Sequence, residues 1–398
     1  PWHHRAVITP KPSELQEQVR ELHRLATPWQ PAGLGSRLSW GPPVAPGSST
    51  VSCRQLRGIV EHSPGDFTVT VQAGTPLVEL QEELAHHRQW LALDWPWGSG
   101  PGGKASGSLG GLVARGLAGG LRQRYLGVRD QLIGIELIRA DGVRARAGGK
   151  VVKNVAGYDL MRLFCGSWGS LGLITELTLR TYPLPRHRRG LLVQGPLTGL
   201  EQLRRRCLQS PLMPQRLDWW NPALSGSGQP ALLLALASVS SAAIADQLDQ
   251  HSQAAAALGL ETEALDPDRL LELESHSRQG SSDWLLQLGV KPAKAAEFLA
   301  DPALDGVACS LAAGVGLGMA WAETSSLPRY RVEHLRQRCH ALGGQLSVLL
   351  QPASASGLPC WEESPATDVI EALKREFDPL QQLARGRLPG VLQAAVIT

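Results

Sequence analysis

The sequence predicts an α+β protein of two domains. Its 398 residues exceed what one hydrophobic core usually organises. Helix-like and strand-like segments alternate closely through the first half, and prolines and basic residues break this alternation between Pro183 and Gly190. The second half is rich in leucine and alanine, and helical stretches separate its strand-like runs, as in a sheet covered by helices. We therefore expect one domain over residues 1–185 and a second over residues 186–398.

Hydrophobic periodicity predicts the elements of the first half. Apolar residues at helical spacing predict a helix over Ser13 to Ala26, capped by its first residue. Strict alternation predicts a strand over Phe67 to Ala73, and a proline in the first turn opens a helix from Pro76 to His87. Further strands are expected over Asp130 to Ala140 and Leu173 to Tyr182.

In the second half, short apolar runs indicate strands and longer mixed stretches indicate helices. The predicted strands are Ala231–Ser238, Gly306–Ala312, Met319–Ala322 and Gln345–Leu350, and the predicted helices are Ser241–Leu258, Asp268–Glu274, Lys291–Leu299 and Pro328–Leu342. The basic cluster from Arg186 to Arg189 is interpreted as a solvated linker.

Composition and charge exclude several classes of protein. A hydrophobic content of 43% and a charged content of 19% are ordinary for a folded protein, and a net charge of +3 is too weak to indicate nucleic-acid binding. The six cysteines contain no C-x-x-C pair, so neither a structural zinc nor an iron–sulfur cluster is expected, and a reducing cytoplasm fits best. The longest charge-free apolar stretch, Val307 to Ala322, is too short to span a bilayer and is interpreted as buried sheet.

Three glycine-rich stretches of the first half are candidate binding loops. The first, Pro31 to Gly41, could present successive backbone N–H groups to an anion, because its glycines tolerate positive φ and close approach. Ser36 and Ser39 add hydroxyl donors, and Arg37 adds a planar guanidinium suited to phosphate. An ordinary surface loop explains this stretch, taken alone, about equally well.

The second stretch, Gly98 to Gly111, imitates two nucleotide-binding motifs. A G-x-G-x-x-G motif needs a preceding strand and a following helix, and Asp94 to Trp97 is a poor strand end. The P-loop spacing lacks its magnesium-binding hydroxyl, because Ala105 stands at that position. Both interpretations are therefore rejected. The third stretch, Gly148 to Thr175, runs into a strand whose first main-chain groups could read the edge of a planar heterocycle.

In this order, the segments resemble the FAD-binding domain of the vanillyl-alcohol oxidase (PCMH-type) flavoprotein family. The corresponding motifs lie at Pro31–Leu38, Thr70–Leu80, Ser108–Gly111, Gly127–Asp130 and Gly169–Ile174. A narrower resemblance, to the GlcE-type FAD-binding subunits of glycolate oxidase (glycolate dehydrogenase), rests on Trp40–Gly41, Gly149–Leu160 and Lys374–Pro379. The resemblance implies a PCMH-type FAD-binding domain of two subdomains, followed by a smaller α+β cap-like domain.

The resemblance also implies the cofactor and its contacts. FAD would be held non-covalently, because no histidine lies between Pro31 and Gly41 to form a covalent link. The residues expected to bind it are Gly33, Gly35, Ser36, Arg37, Leu38, Ser39, Ser108, Gly110, Gly111, Gly172 and Ile174. The tail departs from the family pattern, since Ala384-Arg385-Gly386-Arg387 stands where Asn-Pro-Gly-Arg is usual, which leaves the role of this turn open.

Other residues near these motifs could complete a flavin site. Trp95, Trp97 and Trp168 lie in glycine-rich segments, where an indole could shield a ring from water. The polar side chains between Lys153 and Asp159 could form a wall beside a flavin, although a structural loop network explains them equally well.

The implied reaction is oxidation of a 2-hydroxy acid such as glycolate to glyoxylate, with hydride passing to the flavin. No histidine or carboxylate of the sequence qualifies as a catalytic base. We therefore expect a subunit that works with a larger FAD-containing glycolate oxidase subunit and an iron–sulfur subunit, in the cytoplasm or peripherally at a membrane through its complex. Two alternatives stay open: a stand-alone FAD-dependent oxidase of a sugar or alcohol, and a non-catalytic scaffold whose flavin is structural or lost.

Overall fold

The computed structural model describes residues 7–94, 107–150, 158–211, 213–280, 283–355 and 357–392. Within these residues the strands form four sheets, of three, five, two and eight strands. The first three sheets use the first half of the chain and the eight-stranded sheet uses the second half. Helices and strands are mixed in both halves, so the α+β prediction is confirmed.

The first half builds the framework of the cavity described below. Its strands are β1 (Val7–Ile8), β2 (Trp29–Ala32), β3 (Ser49–Ser52), β4 (Ile59–Ser63), β5 (Thr68–Gln72), β6 (Gln89–Trp90), β7 (Leu132–Ile138), β8 (Arg144–Gly148), β9 (Leu173–Arg180) and β10 (Tyr182–Pro183). Its helices are α1 (Leu15–Arg24), α2 (Leu77–His86), α3 (Leu109–Arg115), α4 (Arg122–Tyr125) and α5 (Val128–Gln131).

Two sheets of the first half differ in the direction of their strands. The three-stranded sheet has the order β1-β3-β2 and is parallel, whereas the five-stranded sheet has the order β4-β5-β9-β7-β8 and is antiparallel. The alternating residues of β5 bury Val69 and Val71 against Leu77 and Leu80 of α2. Beyond β5, the backbone N–H of Ala73 donates to the carbonyl of Thr175 at 2.9 Å, which fixes the two strand ends side by side.

The second half forms the large antiparallel sheet and the helices that cover it. Its strands are β11 (His187–Gln194), β12 (Arg216–Trp220), β13 (Ala231–Ser238), β14 (Glu261–Leu265), β15 (Trp284–Gly289), β16 (Ala308–Ala312), β17 (Leu317–Ala322) and β18 (Gln345–Leu350). Its helices are α6 (Leu197–Gln209), α7 (Pro222–Ser225), α8 (Ser241–Ala256), α9 (Pro267–His276), α10 (Ala295–Leu299), α11 (Arg329–Ala341) and α12 (Thr367–Phe377).

The two faces of this sheet pack against different partners. Its strand order is β14-β11-β13-β12-β16-β17-β15-β18. Successive strand residues point to opposite faces. Trp219 of β12 therefore enters the core shared with α6, α10 and α11, whereas Trp220 faces the other way, into a core that contains Trp40 and Trp168 of the first half. The eight-stranded sheet thus covers the first half through a tryptophan-rich interface.

After β18 the chain returns to the first half. Phe377 of α12 packs against Phe164, with ring centroids 5.5 Å apart, and Leu383 is buried in the core beside Trp29. The backbone N–H of Ala384 donates to the carbonyl of Trp29 at 2.7 Å. The division of the chain at residue 185 stays a prediction, because the tail belongs spatially with the first half.

Several local predictions are wrong for identifiable reasons. The segment from Arg186 to Arg189 is not a linker, because β11 begins at His187 and Arg188 forms an ion pair with Glu274 at 2.8 Å. Ser13 does not cap α1, which begins at Leu15 without a side-chain cap. The stretch Val307 to Ala322 forms β16 and β17, which confirms its assignment to buried sheet. Within the described ranges, no helix combines the length and the apolar character that crossing a membrane requires.

Candidate functional site

A deep cavity lies where the loops of the first half meet the tail and the tryptophan-rich interface. Its open volume, including solvent at the mouth, is about 1130 Å³. Residues 30–38, 107–117 and 168–174 supply most of its wall. Of the residues expected to bind FAD, Ser39 is exposed and lies outside the wall, and the others all line it: Gly33, Gly35, Ser36, Arg37, Leu38, Ser108, Gly110, Gly111, Gly172 and Ile174.

The loop after β2 is held tightly against the start of α3. The Ser52 hydroxyl donates to the carbonyl of Gly33 at 3.1 Å. A Cβ atom on Gly33 would overlap the Ser108 hydroxyl, so only glycine allows this approach. Gly35 has a φ of +77°, a left-handed conformation that favours glycine, but a Cβ atom there would meet only the Leu38 Cδ1 atom, at an ordinary contact distance of 3.7 Å. The two glycines therefore serve different purposes, contact at Gly33 and backbone conformation at Gly35.

The start of α3 forms the floor of the cavity. The Ser108 hydroxyl accepts the backbone N–H of Gly111 at 3.2 Å and so caps the helix. The N–H of Gly110 donates to the carbonyl of Ala73 at 2.8 Å, and a Cβ atom on Gly110 would lie 2.8 Å from the Ala73 Cβ. A glycine at position 110 is therefore needed to bring the helix onto the end of β5.

Three arginines line the cavity, and only Arg37 was predicted. The guanidinium of Arg115 donates to the carbonyl of Arg37 at 2.5 Å, and Arg387 donates to the carbonyls of Pro42, at 2.8 Å, and Leu38. Burial lowers the pKa of Arg37 to about 10. Burial and repulsion by Arg387 and Arg37 lower the pKa of Arg115 to about 9. Burial therefore makes the charged forms of Arg37 and Arg115 less favourable than those of exposed arginines.

Tryptophans close the same end of the cavity. The Arg115 guanidinium lies over the Trp168 ring, 4.0 Å from its centroid, and Trp168 contacts Trp361 of the second half edge-on at 4.8 Å. Arg37 lies 5.4 Å from the centroid of Trp40. The proposal that Trp168 shields a bound ring stays a prediction. Some predictions fall outside the described residues. They concern Trp95, Trp97, the glycines between 98 and 106, and the segment 153–157.

A buried ion cluster joins the cavity wall to the large sheet. Asp94, which lines the cavity, accepts the backbone N–H groups of Gly119 and Leu121 at 3.0 and 3.2 Å and pairs with Arg216 of β12. Arg216 also pairs with Asp218 at 2.8 Å and with Glu274 at 3.0 Å. Although burial opposes its charge, these three carboxylates raise the pKa of Arg216 well above its ordinary value. The cluster therefore fixes the position of β12 against the cavity wall.

Asp218 is the carboxylate of this cluster whose charged form is least favourable. Its Oδ1 atom is buried and has no hydrogen-bond partner among the described residues. Burial raises the pKa of Asp218 to about 6, against the attraction of Arg216 and with a contribution from Asp94 and Glu274. In the unfolded chain an aspartate titrates near 4. The folded protein therefore holds a proton on Asp218 between about pH 4 and pH 6 that the unfolded chain releases.

Replacing Asp218 by asparagine is expected to remove one pH-dependent loss of stability. Because the folded-state pKa is raised, the parent loses about 3 kcal/mol from this group as pH rises from 4 to above 6. The free energy of unfolding of Asp218→Asn, relative to the parent, should therefore increase over that window in urea titrations. Glu201→Gln is the control of opposite sign: against the effect of burial, Arg204 and Arg205 lower the pKa of Glu201, so its difference should decrease with pH. A pH-independent difference for Asp218→Asn would contradict the assignment.

Comparison with known protein families identifies the first part of the chain. Residues 5–148 match the family described as FAD binding domain. The first part of this chain is a PCMH-type FAD-binding domain. The FAD-binding domain supplies the loops after β2 and before α3 that line the cavity. The prediction of FAD as cofactor is confirmed, and its non-covalent attachment stays a prediction.

Several proteins of known function are similar to part of this chain. The chain is 39% identical over 173 residues to "Glycolate oxidase subunit GlcE" of Escherichia coli (strain K12), covering 43% of this chain and 47% of that protein. It is 32% identical over 191 residues to "Glycolate oxidase subunit GlcD" of Bacillus subtilis (strain 168), covering 47% and 39%. It is 33% identical over 175 residues to "Probable D-lactate dehydrogenase, mitochondrial" of Danio rerio, covering 43% and 34%. The chain thus matches less than half the length of each of these relatives.

Solved structures extend the likeness to both halves. A structure of alkyldihydroxyacetonephosphate synthase superposes with a TM-score of 0.65 at 13% identity, covering 96% of this chain and 75% of that one. A second crystal form of that enzyme gives a TM-score of 0.66 at 14% identity, covering 95% and 76%. At this identity the likeness concerns the fold alone. It confirms the predicted fold class, a PCMH-type FAD-binding domain followed by an α+β domain.

The cavity beside the FAD-binding domain fits an anionic dinucleotide. The contacts at Gly33 and Gly110 leave no room for a Cβ atom, so bare backbone is presented to the cavity. The arginine cluster supplies the positive charge that a diphosphate requires. Loops after strands and at helix starts would hold the phosphates, and the buried Trp40 and Trp168 line the same cavity.

Sequence reasoning missed the two other arginines of this wall, Arg115 and Arg387. Arg115 lies in an ordinary helical stretch, and no local signal distinguishes it from a solvated arginine. Arg387 ends the tail motif that departs from the family pattern, so its position could have been proposed from that alignment. The structure brings both within the same cavity as Arg37.

Proposed function

We propose that this chain is an FAD-dependent oxidoreductase subunit that takes part in the oxidation of a 2-hydroxy acid such as glycolate. The observation that carries the proposal is the FAD-binding domain whose loops line the cavity. The relatives named above are glycolate oxidase subunits and a D-lactate dehydrogenase, and both substrates are 2-hydroxy acids. Bound flavin would accept the hydride from the carbon that carries the hydroxyl group.

The chain's own residues would bind and orient the cofactor. The backbone around Gly33 and Gly110 would approach it closely, and Ser36 would offer a hydroxyl to its phosphates. Trp168 lines the cavity and packs edge-on against Trp361. The ion pair between Asp94 and Arg216 would hold the large sheet in a fixed position against the cavity wall.

The lining supports a role within a complex rather than independent catalysis. Among the described lining residues there is no histidine, and the one carboxylate belongs to Asp94. That carboxylate already pairs with Arg216 and accepts two backbone N–H groups, so it is poorly placed to take a proton from substrate. We propose that a larger FAD-containing glycolate oxidase subunit supplies the catalytic base and that an iron–sulfur subunit accepts the electrons.

The purified chain is expected to be yellow and to release its flavin as free FAD on precipitation with trichloroacetic acid. The reason is that a non-covalent flavin leaves the protein once the loops around it unfold. Absorbance spectra of pellet and supernatant measure this directly. Flavin retained in the pellet would show a covalent link, and a colourless protein that takes up no FAD would overturn the proposed function.

Glycolate-dependent dye reduction is expected only after the two partner subunits are added, and substantial turnover by the single chain would contradict the subunit assignment.

A further inference from the structure

Arg115 has few contacts for a charged side chain so enclosed by protein. Its guanidinium donates one hydrogen bond, to the carbonyl of Arg37, and lies over the ring of Trp168. Among the described residues no carboxylate lies within 4.0 Å of its guanidinium, and its remaining N–H donors have no protein acceptor there. A guanidinium has five N–H donors. Most of the binding capacity of Arg115 is therefore uncommitted.

The neighbouring charges make this arrangement costly without a ligand. Arg37 and Arg387 line the same cavity, and both repel Arg115. Leaving a buried charge without a counter-charge is strongly destabilising, and charged donors without acceptors add to that cost. Asp94 lines the cavity too, but its carboxylate is paired with Arg216. The cluster therefore favours an incoming oxyanion, which a guanidinium can bind through two parallel hydrogen bonds.

The stacking on Trp168 orients the guanidinium. A planar cation lying 4.0 Å from the centroid of an indole is held by cation–π attraction, which fixes the plane of its donors. Because Trp168 also packs against Trp361, this orientation depends on the contact between the two halves of the chain. The cluster is thus a preorganised site rather than a group of solvated side chains.

We propose that Arg37, Arg115 and Arg387, with Trp168 as the platform for Arg115, form an oxyanion subsite of the cavity. Two sources share this chemistry: the diphosphate of the cofactor and the carboxylate of a 2-hydroxy acid. The proposal deepens the proposed function and rests on it for the identity of these ligands. Arg115 is the residue that tests it, because the ligand rather than the protein would satisfy its donors.

The experiment compares Arg115→Met and Arg115→Lys with the parent by isothermal titration calorimetry. Apoprotein is titrated with FAD, ADP and riboflavin, and FAD-loaded protein is titrated with oxalate, a carboxylate that cannot be oxidised by hydride loss. Loss of a charge-assisted hydrogen bond weakens binding by about 10- to 100-fold. Arg57→Met is the matched control, since Arg57 is exposed and pairs with Glu79 outside the cavity.

The pattern of losses distinguishes the two sources. Weaker binding of FAD and ADP with unchanged riboflavin binding assigns the subsite to the diphosphate, and weaker oxalate binding alone assigns it to the carboxylate. Arg115→Lys, which keeps the charge, should retain part of the affinity. The Tm of the Arg115→Met apoprotein should equal or exceed that of the parent, because the variant removes a charge that the apoprotein leaves uncompensated. Unchanged affinities for all four ligands would overturn the proposal, and so would an equal loss for all of them together with a lower apoprotein Tm.

A separate measurement on the parent covers the case in which Arg115→Met does not fold. Pyrophosphate or oxalate should then raise the Tm of the parent apoprotein by binding the arginine cluster. If neither anion raises the Tm, the proposed subsite is wrong. A parent that takes up FAD but responds to no anion refutes the subsite alone. A parent that takes up no FAD refutes the proposed function instead.

Discussion

Replacing Gly33 by valine is expected to abolish FAD binding while leaving the eight-stranded sheet folded. The Cβ atom of any residue at this position would overlap the Ser108 hydroxyl, and a branched side chain would force the loop away from α3. Both segments line the cavity, so their separation would destroy its shape. Titration of FAD into apoprotein, followed by flavin fluorescence, measures the loss, and near-ultraviolet circular dichroism of the buried Trp219 and Trp284 reports on the sheet.

Two further variants test whether FAD binding also depends on the backbone conformation of this loop and on its positive charge. Gly35→Val is expected to weaken FAD binding severely as well, but through its φ of +77°, because a β-branched residue in that conformation costs about 1–3 kcal/mol. Arg37→Ala should retain measurable binding, with a loss of about 1–3 kcal/mol for one charge-assisted hydrogen bond. Parent-like affinity in Gly33→Val and Gly35→Val would mean that this stretch is an ordinary surface loop.

Replacing Asp378 by alanine is expected to lower the free energy of unfolding by about 3–5 kcal/mol, because it leaves a buried ammonium group without its counter-charge. Lys374 donates to Asp378 at 2.6 Å and to the carbonyls of Ser170 and Leu383 at 2.7 and 2.8 Å. Asp378 is fully buried and also accepts the backbone N–H groups of Gln382 and Leu383. Urea unfolding followed by tryptophan fluorescence gives the free energy.

The control for this network lies on the exposed side of the same helix. Arg375 and Glu371 form an exposed ion pair at 3.7 Å, so Arg375→Ala should change the free energy of unfolding by less than about 1 kcal/mol. Equal losses in Asp378→Ala and Arg375→Ala would show that the buried network contributes no more than a surface pair. Since the tail also carries Arg387, Asp378→Ala should reduce FAD affinity too, in the same samples.

The sequence predicted elements where hydrophobic periodicity was undisturbed, and missed them where buried charges interrupted it. Ala231–Ser238 and Gln345–Leu350 form strands with the predicted bounds, because their apolar residues make an unbroken signal. The strand β12 contains Arg216 and Asp218. Charged residues of this kind are typical of solvent-exposed positions, so the sequence alone does not predict the buried ion cluster in which these two side chains pair. The same reason explains why the strand β11 was interpreted as a linker.

The candidate site was predictable to the extent that short glycine motifs encode it. Close approach at Gly33 and Gly110 depends on neighbouring residues of one loop or one turn, so a family motif can carry it. The arginine cluster cannot be predicted in this way, because Arg115 and Arg387 are 272 positions apart in the sequence. They come close only because the tail returns to the first half. Information of that kind lies in tertiary packing and not in local sequence.

The return of the tail has a consequence for the order of events during biosynthesis. Every motif of the FAD-binding domain leaves the ribosome in the first half of translation, but the carbonyls of Trp29, Pro42 and Leu38 acquire their donors only when Ala384 and Arg387 have emerged. A nascent chain therefore carries an unfinished flavin loop for as long as the large sheet is being synthesised. We therefore expect capture of the flavin to follow synthesis of the tail, and a chain truncated within the large sheet to lack these donors to the cofactor loop.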